Sequence, residues 1–210
     1  MKNNIDLPDG YGYDGPFIKQ ISHSDFDYTV DYKARQSTNV EMSYLRLGWL
    51  SASISYDKLS AMKAVDIGSG NGVFVDCASA ILGEIHGYDL CGKSISREDL
   101  MSTSWDLVIL SDVLEHYDDI AELFDMKWEY AMISFPETPS VVNFGELKSW
   151  RHFKPNEHIY HLDLQGMKEW LTNTEPGIQV VRCGHFEDHI RKRWDENLPN
   201  ITTMLIHRTP

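Results

Sequence analysis

Apolar positions along the chain fall into short blocks whose period changes repeatedly. Ala64–Ile67 is an apolar run interrupted only by Asp66, a pattern that suits a parallel strand buried on both faces. After Gly68, Gly70 and Gly72 the period becomes helical. Phe74, Cys77, Ala78, Ile81 and Leu82 fall at i, i+3, i+4, i+7 and i+8, which predicts one helix from Val73 to Leu82. Further strands are predicted at Glu84–Leu90, Leu107–Leu110, Tyr130–Phe135, Ile178–Cys183 and Ile201–Ile206. Helices are predicted from a Ser37 or Thr38 cap through Ser55, and after Asp118 or Asp119 with Ile120, Leu123, Phe124 and Trp128 as the apolar face. A third follows an Asp163 cap, with Leu164, Met167 and Leu171 on one side. The stretch from Pro136 to Trp150 and the long linker from Gly184 to Asn200 read as loops.

A glycine turn between a parallel strand and a helix start leaves backbone N–H groups at the carboxyl edge of the sheet, where open α/β sheets bind ligands. Glycine permits positive φ and lets a ligand approach the backbone closely. The dinucleotide fingerprint needs a small residue where Val73 stands, so a nucleotide-dependent oxidoreductase fits poorly. Asp89 ends the second strand about 20 residues after the loop, the spacing at which an acid accepts both hydrogen bonds of a ribose diol. Taken alone, the loop is equally a tight turn, and Asp89 equally a solvated turn residue.

Three segments carry a resemblance to one family. Asp66-Ile67-Gly68-Ser69-Gly70-Asn71-Gly72 resembles motif I of the class I S-adenosylmethionine (SAM)-dependent methyltransferases. Trp105–His116, with the sequence WDLVILSDVLEH, resembles the block that follows motif I in that family. His152–His158, HFKPNEH, is similar to an H-[FY]-K-P-x-E-H stretch of small methyltransferases whose substrates are mostly unassigned. The resemblance implies an α/β fold of the Rossmann-like, doubly wound type, with a mainly parallel sheet and an antiparallel last strand. It implies SAM as cofactor, held by Asp66, Gly68, Ser69, Gly70, Gly72, Asp89, Leu90, Asp112 and Val113. It also implies methyl transfer, in which the protein aligns the reactants and excludes water. A hydroxyl acceptor needs a general base, and the candidates are His158, Asp112, His116 and Glu115. His158 is the first choice, because an imidazole titrates near neutrality and Glu157 adjoins it.

The family's usual sheet places two crossovers and a further strand between the second and fourth strands. Residues 91–106 cannot hold them, since one parallel crossover takes a dozen or more residues. The third strand is therefore expected to be reduced or missing, with the second strand at or near the sheet edge. Asp99 and Leu100 are the nearest stand-ins for the family's adenine-contacting residues.

Residues 1–37, rich in aromatics and broken by Gly10, Gly12, Gly15 and Pro16, are expected to form an arm or lid over a methyltransferase domain of residues 38–210. The formal net charge of −13 disfavours long nucleic acid, whose binding relies on Lys and Arg. The cluster Arg191-Lys192-Arg193 reads as a solvated loop. A small molecule or sugar derivative is the expected acceptor. Amino-directed DNA enzymes of the family carry an N-P-P-[FY] type motif where Ser111-Asp112-Val113-Leu114 stands, and cytosine C5 enzymes need a Pro-Cys pair where Pro136-Glu137 stands. Three scattered cysteines, Cys77, Cys91 and Cys183, suit a reducing compartment, and the cytoplasm is expected. No apolar run approaches the roughly 18 residues of a membrane span. His152, His158 and His161 are spaced too loosely to predict a metal site, and His185 and His189 lack the glutamate of a zincin. The alternative function is a non-catalytic SAM-binding module acting as a partner or sensor.

Overall fold

A computed structural model describes residues 5–27, 40–90, 95–191 and 200–209. Its centre is a six-stranded sheet built from β3 (Lys63–Ile67), β4 (Glu84–Tyr88), β5 (Ser104–Ser111), β6 (Lys127–Pro136), β8 (Ile178–Gly184) and β9 (Ile201–Arg208), in the order β4-β3-β5-β6-β9-β8. β4, β3, β5 and β6 are parallel; β9 is antiparallel to both β6 and β8. This is the Rossmann-like, doubly wound arrangement with an antiparallel end.

Alternation along the strands explains the layers, because successive side chains point to opposite faces. Val65, Ile67, Val108, Leu110, Ile133 and Ile206 join one core, which also takes Leu114, Leu123, Met167 and Leu171. Ala64, Leu107, Ile109, Met132 and Leu205 join the other, with Leu47, Leu50, Phe74, Ala78 and Leu82. The second core is covered by α1 (Val40–Ser51), α2 (Tyr56–Leu59) and α3 (Val73–Ala78), and the first by α7 (Leu164–Thr174) with α4 (Arg97–Ser102) and α5 (Glu122–Asp125).

β4 is the edge strand, and between it and β5 the described residues hold only α4. A capping box starts that helix: Ser96 accepts from the Asp99 N–H and Asp99 accepts from the Ser96 N–H. Asp99 is thus spent on the cap, and Leu100, 3 % exposed, on the core.

Several element bounds differ from the sequence expectation. The first long helix ends at Ser51, and Ser55 caps the separate α2; its proposed Ser37 or Thr38 cap lies outside the described residues. The helix after the glycine loop ends at Ala78, although Leu82 still reaches the core. Trp128 stands on β6 and not on the preceding helix, because α5 spans a single turn. The loop after Pro136 contains α6 (Phe144–Ser149), whose cap Asn143 accepts from the Glu146 N–H.

Residues 11–20 form a hairpin, β1 (Tyr11–Asp14) and β2 (Phe17–Gln20), and β2 pairs antiparallel with β7 (Tyr160–His161) in a separate three-stranded sheet. Phe17 is fully buried against Tyr160 and Trp170. Gln20 and Asn156 exchange side-chain and backbone hydrogen bonds of 2.8 and 3.1 Å. The hairpin therefore braces the segment that precedes β7.

Candidate functional site

The site lies at the carboxyl edge of β3 and β5. Gly68, Gly70 and Gly72 all adopt positive φ, at 72°, 57° and 79°. That lets the chain reverse between β3 and α3 while its amides stay near the sheet edge. The Gly68 and Ser69 N–H groups donate to the Tyr88 carbonyl at 2.7 and 3.1 Å, and the Gly70 N–H donates to Asp89 Oδ2 at 2.9 Å. Asp89 is thus fixed against the loop. Leu90, 78 % exposed beside it, is a large apolar side chain left facing solvent. A Cβ built on Gly68 would stand 2.3 Å from Val113 Cγ2, so Gly68 and Val113 are in contact and the loop is continuous with the segment after β5. A Cβ on Gly87 would meet the Ser69 side chain at 2.7 Å. Residues 68–72, Asp89 and Val113 therefore lie together at this edge of the sheet.

Asp66 is buried inside the strand end. Burial, partly offset by Arg46 and reinforced by Asp89, pushes its carboxyl up to about 7.

Asp112 has φ 57°, a left-handed conformation in a non-glycine residue, the kind of local strain that clusters at functional sites. Its Oδ2 accepts from Arg191 Nη2 at 2.6 Å, and Arg46 Nη2 lies 3.8 Å away. Arg46, 3 % exposed, is held by both oxygens of the fully buried Glu187 at 2.7 and 3.0 Å, and Arg191 reaches Glu187 at 2.8 Å. Ser134 on β6 donates to Glu187 and meets Thr203 on β9. Burial alone would raise the Glu187 carboxyl, but Arg46 and then Arg191 hold it down at about 2. Arg191 belongs to α8 (Glu187–Arg191). The expectation of a solvated basic loop therefore fails for Arg191, which is paired at the sheet edge; Lys192 and Arg193 lie outside the described residues. Sequence reading missed this four-residue network. Its one visible signal was an arginine among the apolar positions of α1.

Beyond Val113 the chain makes one 3₁₀ turn, Leu114–His116. Its Glu115 carbonyl accepts from the Ile159 N–H, and His116 Nδ1 lies 2.6 Å from the Glu157 carbonyl. A carbonyl only accepts, so Nδ1 carries the proton and Nε2 the lone pair. These two bonds dock the histidine-rich segment onto the turn. His158 comes edge-on to His116, with ring centroids 4.9 Å apart, and its Nε2 is 3.9 Å from Glu157 Oε1. Burial, and next the neighbouring His116, push His158 down to about 2, so it is neutral at physiological pH. Burial likewise lowers His116 and holds the Glu115 carboxyl well above its ordinary range, with Asp112 adding to the effect. His152 turns away to Asn200, 2.6 Å from its Oδ1. His161 stacks on Phe153 and Tyr11. His185 meets Thr202. The structure thus brings Glu115, His116 and His158 together, and the His152 ring also lies parallel to that of His158 with centroids 6.4 Å apart. Among the described residues no helix is long and apolar enough to cross a membrane.

Comparison with known proteins agrees with this layout. Residues 50–175, more than half of the chain, match a family model described as a methyltransferase domain. A search of curated proteins gave no match. Among solved structures, an S-adenosylmethionine-dependent methyltransferase from Mesorhizobium loti is similar at TM-score 0.55 and 17 % identity, over 81 % of this chain and 98 % of that one. A SAM-dependent methyltransferase from Aquifex aeolicus is similar at TM-score 0.57 and 13 % identity, over 88 % and 100 %. Magnesium protoporphyrin IX methyltransferase from Synechocystis PCC 6803, with bound SAH, is similar at TM-score 0.52 and 16 % identity, over 88 % and 94 %. The glycine cradle, the sheet order and the matched domain together establish that this chain belongs to the methyltransferase domain family and is a class I, SAM-dependent methyltransferase.

Proposed function

We propose that this enzyme methylates a hydroxyl of a small molecule or sugar derivative at the edge formed by Val113, Glu115, His116 and His158. The observation that carries this reading is the contact chain from Gly68 to Val113 and on to the neutral imidazole pair. It supports an acceptor seated against these side chains, beside the glycine loop. SAM supplies an electrophilic methyl on a sulfonium leaving group, so the protein's work is alignment, exclusion of water and proton removal.

In this reading Gly68, Ser69, Gly70 and Gly72 line the methionine part of the cofactor, and Asp89 accepts from the ribose diol. Leu90 and Val113 give apolar contact, and Asp66 backs the loop. Asp112 is an anchor: its carboxylate is bound to Arg191 at 2.6 Å, which favours a positioning role over proton transfer. The acceptor's hydroxyl loses its proton beside Glu115, His116 and His158, which hold and orient it. The N-terminal arm of residues 1–37 acts as support for the histidine-rich segment through its hairpin; its residues 1–4 and 28–37 lie outside the described residues. The net charge of −13 argues for a small acceptor over a polyanion.

The test is conversion of SAM to S-adenosylhomocysteine across a panel of small hydroxyl acceptors. With an accepted substrate, His158→Ala should lower turnover roughly 10²–10⁴-fold while leaving SAM affinity unchanged. A lower melting temperature with full turnover per folded molecule would remove His158 from the chemistry.

A further inference from the structure

Among the described residues, one group of side chains has metal-ligand character. Glu115, His116 and His158 each offer a donor atom, and the three atoms lie within 4.8 Å of one another. A second observation is independent of that spacing. Glu115 is 2 % exposed, yet neither of its carboxylate oxygens has a hydrogen-bond partner. A buried carboxylate without a partner is costly, and its nearest ring nitrogen, His116 Nε2, stays at 3.9 Å. That distance is too long for a hydrogen bond and suits two donors that face a common centre.

The histidines are prepared for the same centre. His116 gives its Nδ1 proton to the Glu157 carbonyl, which turns the Nε2 lone pair toward Glu115. Such an outer hydrogen bond is what orients a metal-bound imidazole. His158 is buried, and Glu157, which approaches its Nε2 to 3.9 Å, is itself tied to Lys154 at 3.1 Å. Lys154 is therefore neutralised locally by Glu157 and does not by itself oppose a cation.

We infer that Glu115, His116 and His158 form a binding site for a divalent first-row transition cation. Two imidazoles and one carboxylate select this class over Mg²⁺ or Ca²⁺, which take oxygen donors. Three protein donors leave a coordination position open. The inference deepens the proposed methyl transfer and rests on it only for the cation's use. In that use the open position takes the acceptor oxygen, and coordination makes its hydroxyl proton easier to remove. The two imidazoles then serve as ligands, and the proton leaves to solvent or to a group on the acceptor.

The experiment uses the full chain, stripped with chelator and titrated with Co²⁺ while the visible d–d absorption is recorded. One equivalent should bind. Glu115→Gln and His158→Ala should each weaken binding by at least about 10–100-fold. His86→Ala, on edge strand β4 beside Glu84, should leave binding unchanged. Where a variant does not fold, a native crystal soaked in Co²⁺ decides: an anomalous peak should stand between Glu115, His116 and His158. No bound equivalent, binding indifferent to both variants, or a peak elsewhere would overturn the site. Asp89→Ala should lose SAM affinity and keep Co²⁺ affinity, so a failure of the cation site and a failure of the cofactor assignment give different results.

Discussion

Replacing Glu187 by Gln should destabilise the domain by about 3 kcal/mol at neutral pH. Glu187 is fully buried and holds the buried Arg46 at 2.7 and 3.0 Å and Arg191 at 2.8 Å. With Asp112 the four groups balance in charge. The amide keeps the shape and some hydrogen bonds but leaves one buried positive charge uncompensated, which typically costs about 3–5 kcal/mol. Proton linkage gives a similar figure. The Glu187 carboxyl moves from an ordinary 4.5 to about 2 in the fold, worth about 3 kcal/mol at about 1.4 kcal/mol per pH unit. Because the folded value is depressed, this stability is fully present above about pH 4.5 and disappears as pH falls toward 2. Urea denaturation of both proteins at pH 7, 5 and 3 reads the difference, and in a domain of this size the melting point should fall by about 6–12 °C. Arg46→Met combined with Glu187→Leu should sit closer to wild type than Glu187→Gln, since it leaves Asp112 paired with Arg191 and no charge unpaired. A loss below 1 kcal/mol, or a loss that does not shrink with acidity, would refute the account.

Three further outcomes follow from the cradle. Asp66 has the opposite sign to Glu187: its folded carboxyl sits at about 7, so the fold keeps a proton that the unfolded chain releases from about pH 4, and stability falls between about pH 4 and 7. Asp66→Asn should flatten that part of the stability–pH curve, and an unaltered curve would contradict the burial argument. Asp89→Ala should weaken SAM binding by about 1–3 kcal/mol, the scale of a lost charged hydrogen bond, measurable by calorimetry; unchanged affinity would remove Asp89 from the ribose contact. Gly68→Ala should destabilise the domain by about 1–3 kcal/mol, because φ is 72° and the new Cβ would stand 2.3 Å from Val113 Cγ2. Adding Val113→Ala should restore only part, since it relieves the clash and not the backbone strain, and full restoration would show that φ carries no cost.

Local pattern determined much of this protein. The strands at 63–67, 84–88 and 104–111, the glycine reversal and the helix capped by Asp163 were legible because each depends on residues adjacent in sequence. The shortage of chain between Leu90 and Asp106 also set β4 at the edge, since a crossover has a minimum length. Helix ends were less legible. The apolar period of α3 runs on to Leu82 because that residue fills the core from a turn, and Trp128 fits a helical spacing while standing on a strand. Only the tertiary structure decided which polar groups meet. Arg46, Asp112, Ser134 and Glu187 come from four separate elements, and nothing in the spacing of any one of them announces the others. The same holds for Glu115 with His158: one lies on a turn after β5, the other in the segment before β7. They become neighbours because a parallel sheet delivers the ends of β3 and β5 to one edge, and because the N-terminal hairpin pairs with β7 and holds the histidine-rich segment there. Periodicity reports which face a residue shows to its own element. Only the packing of distant elements determines which carboxylate, guanidinium or imidazole it finds.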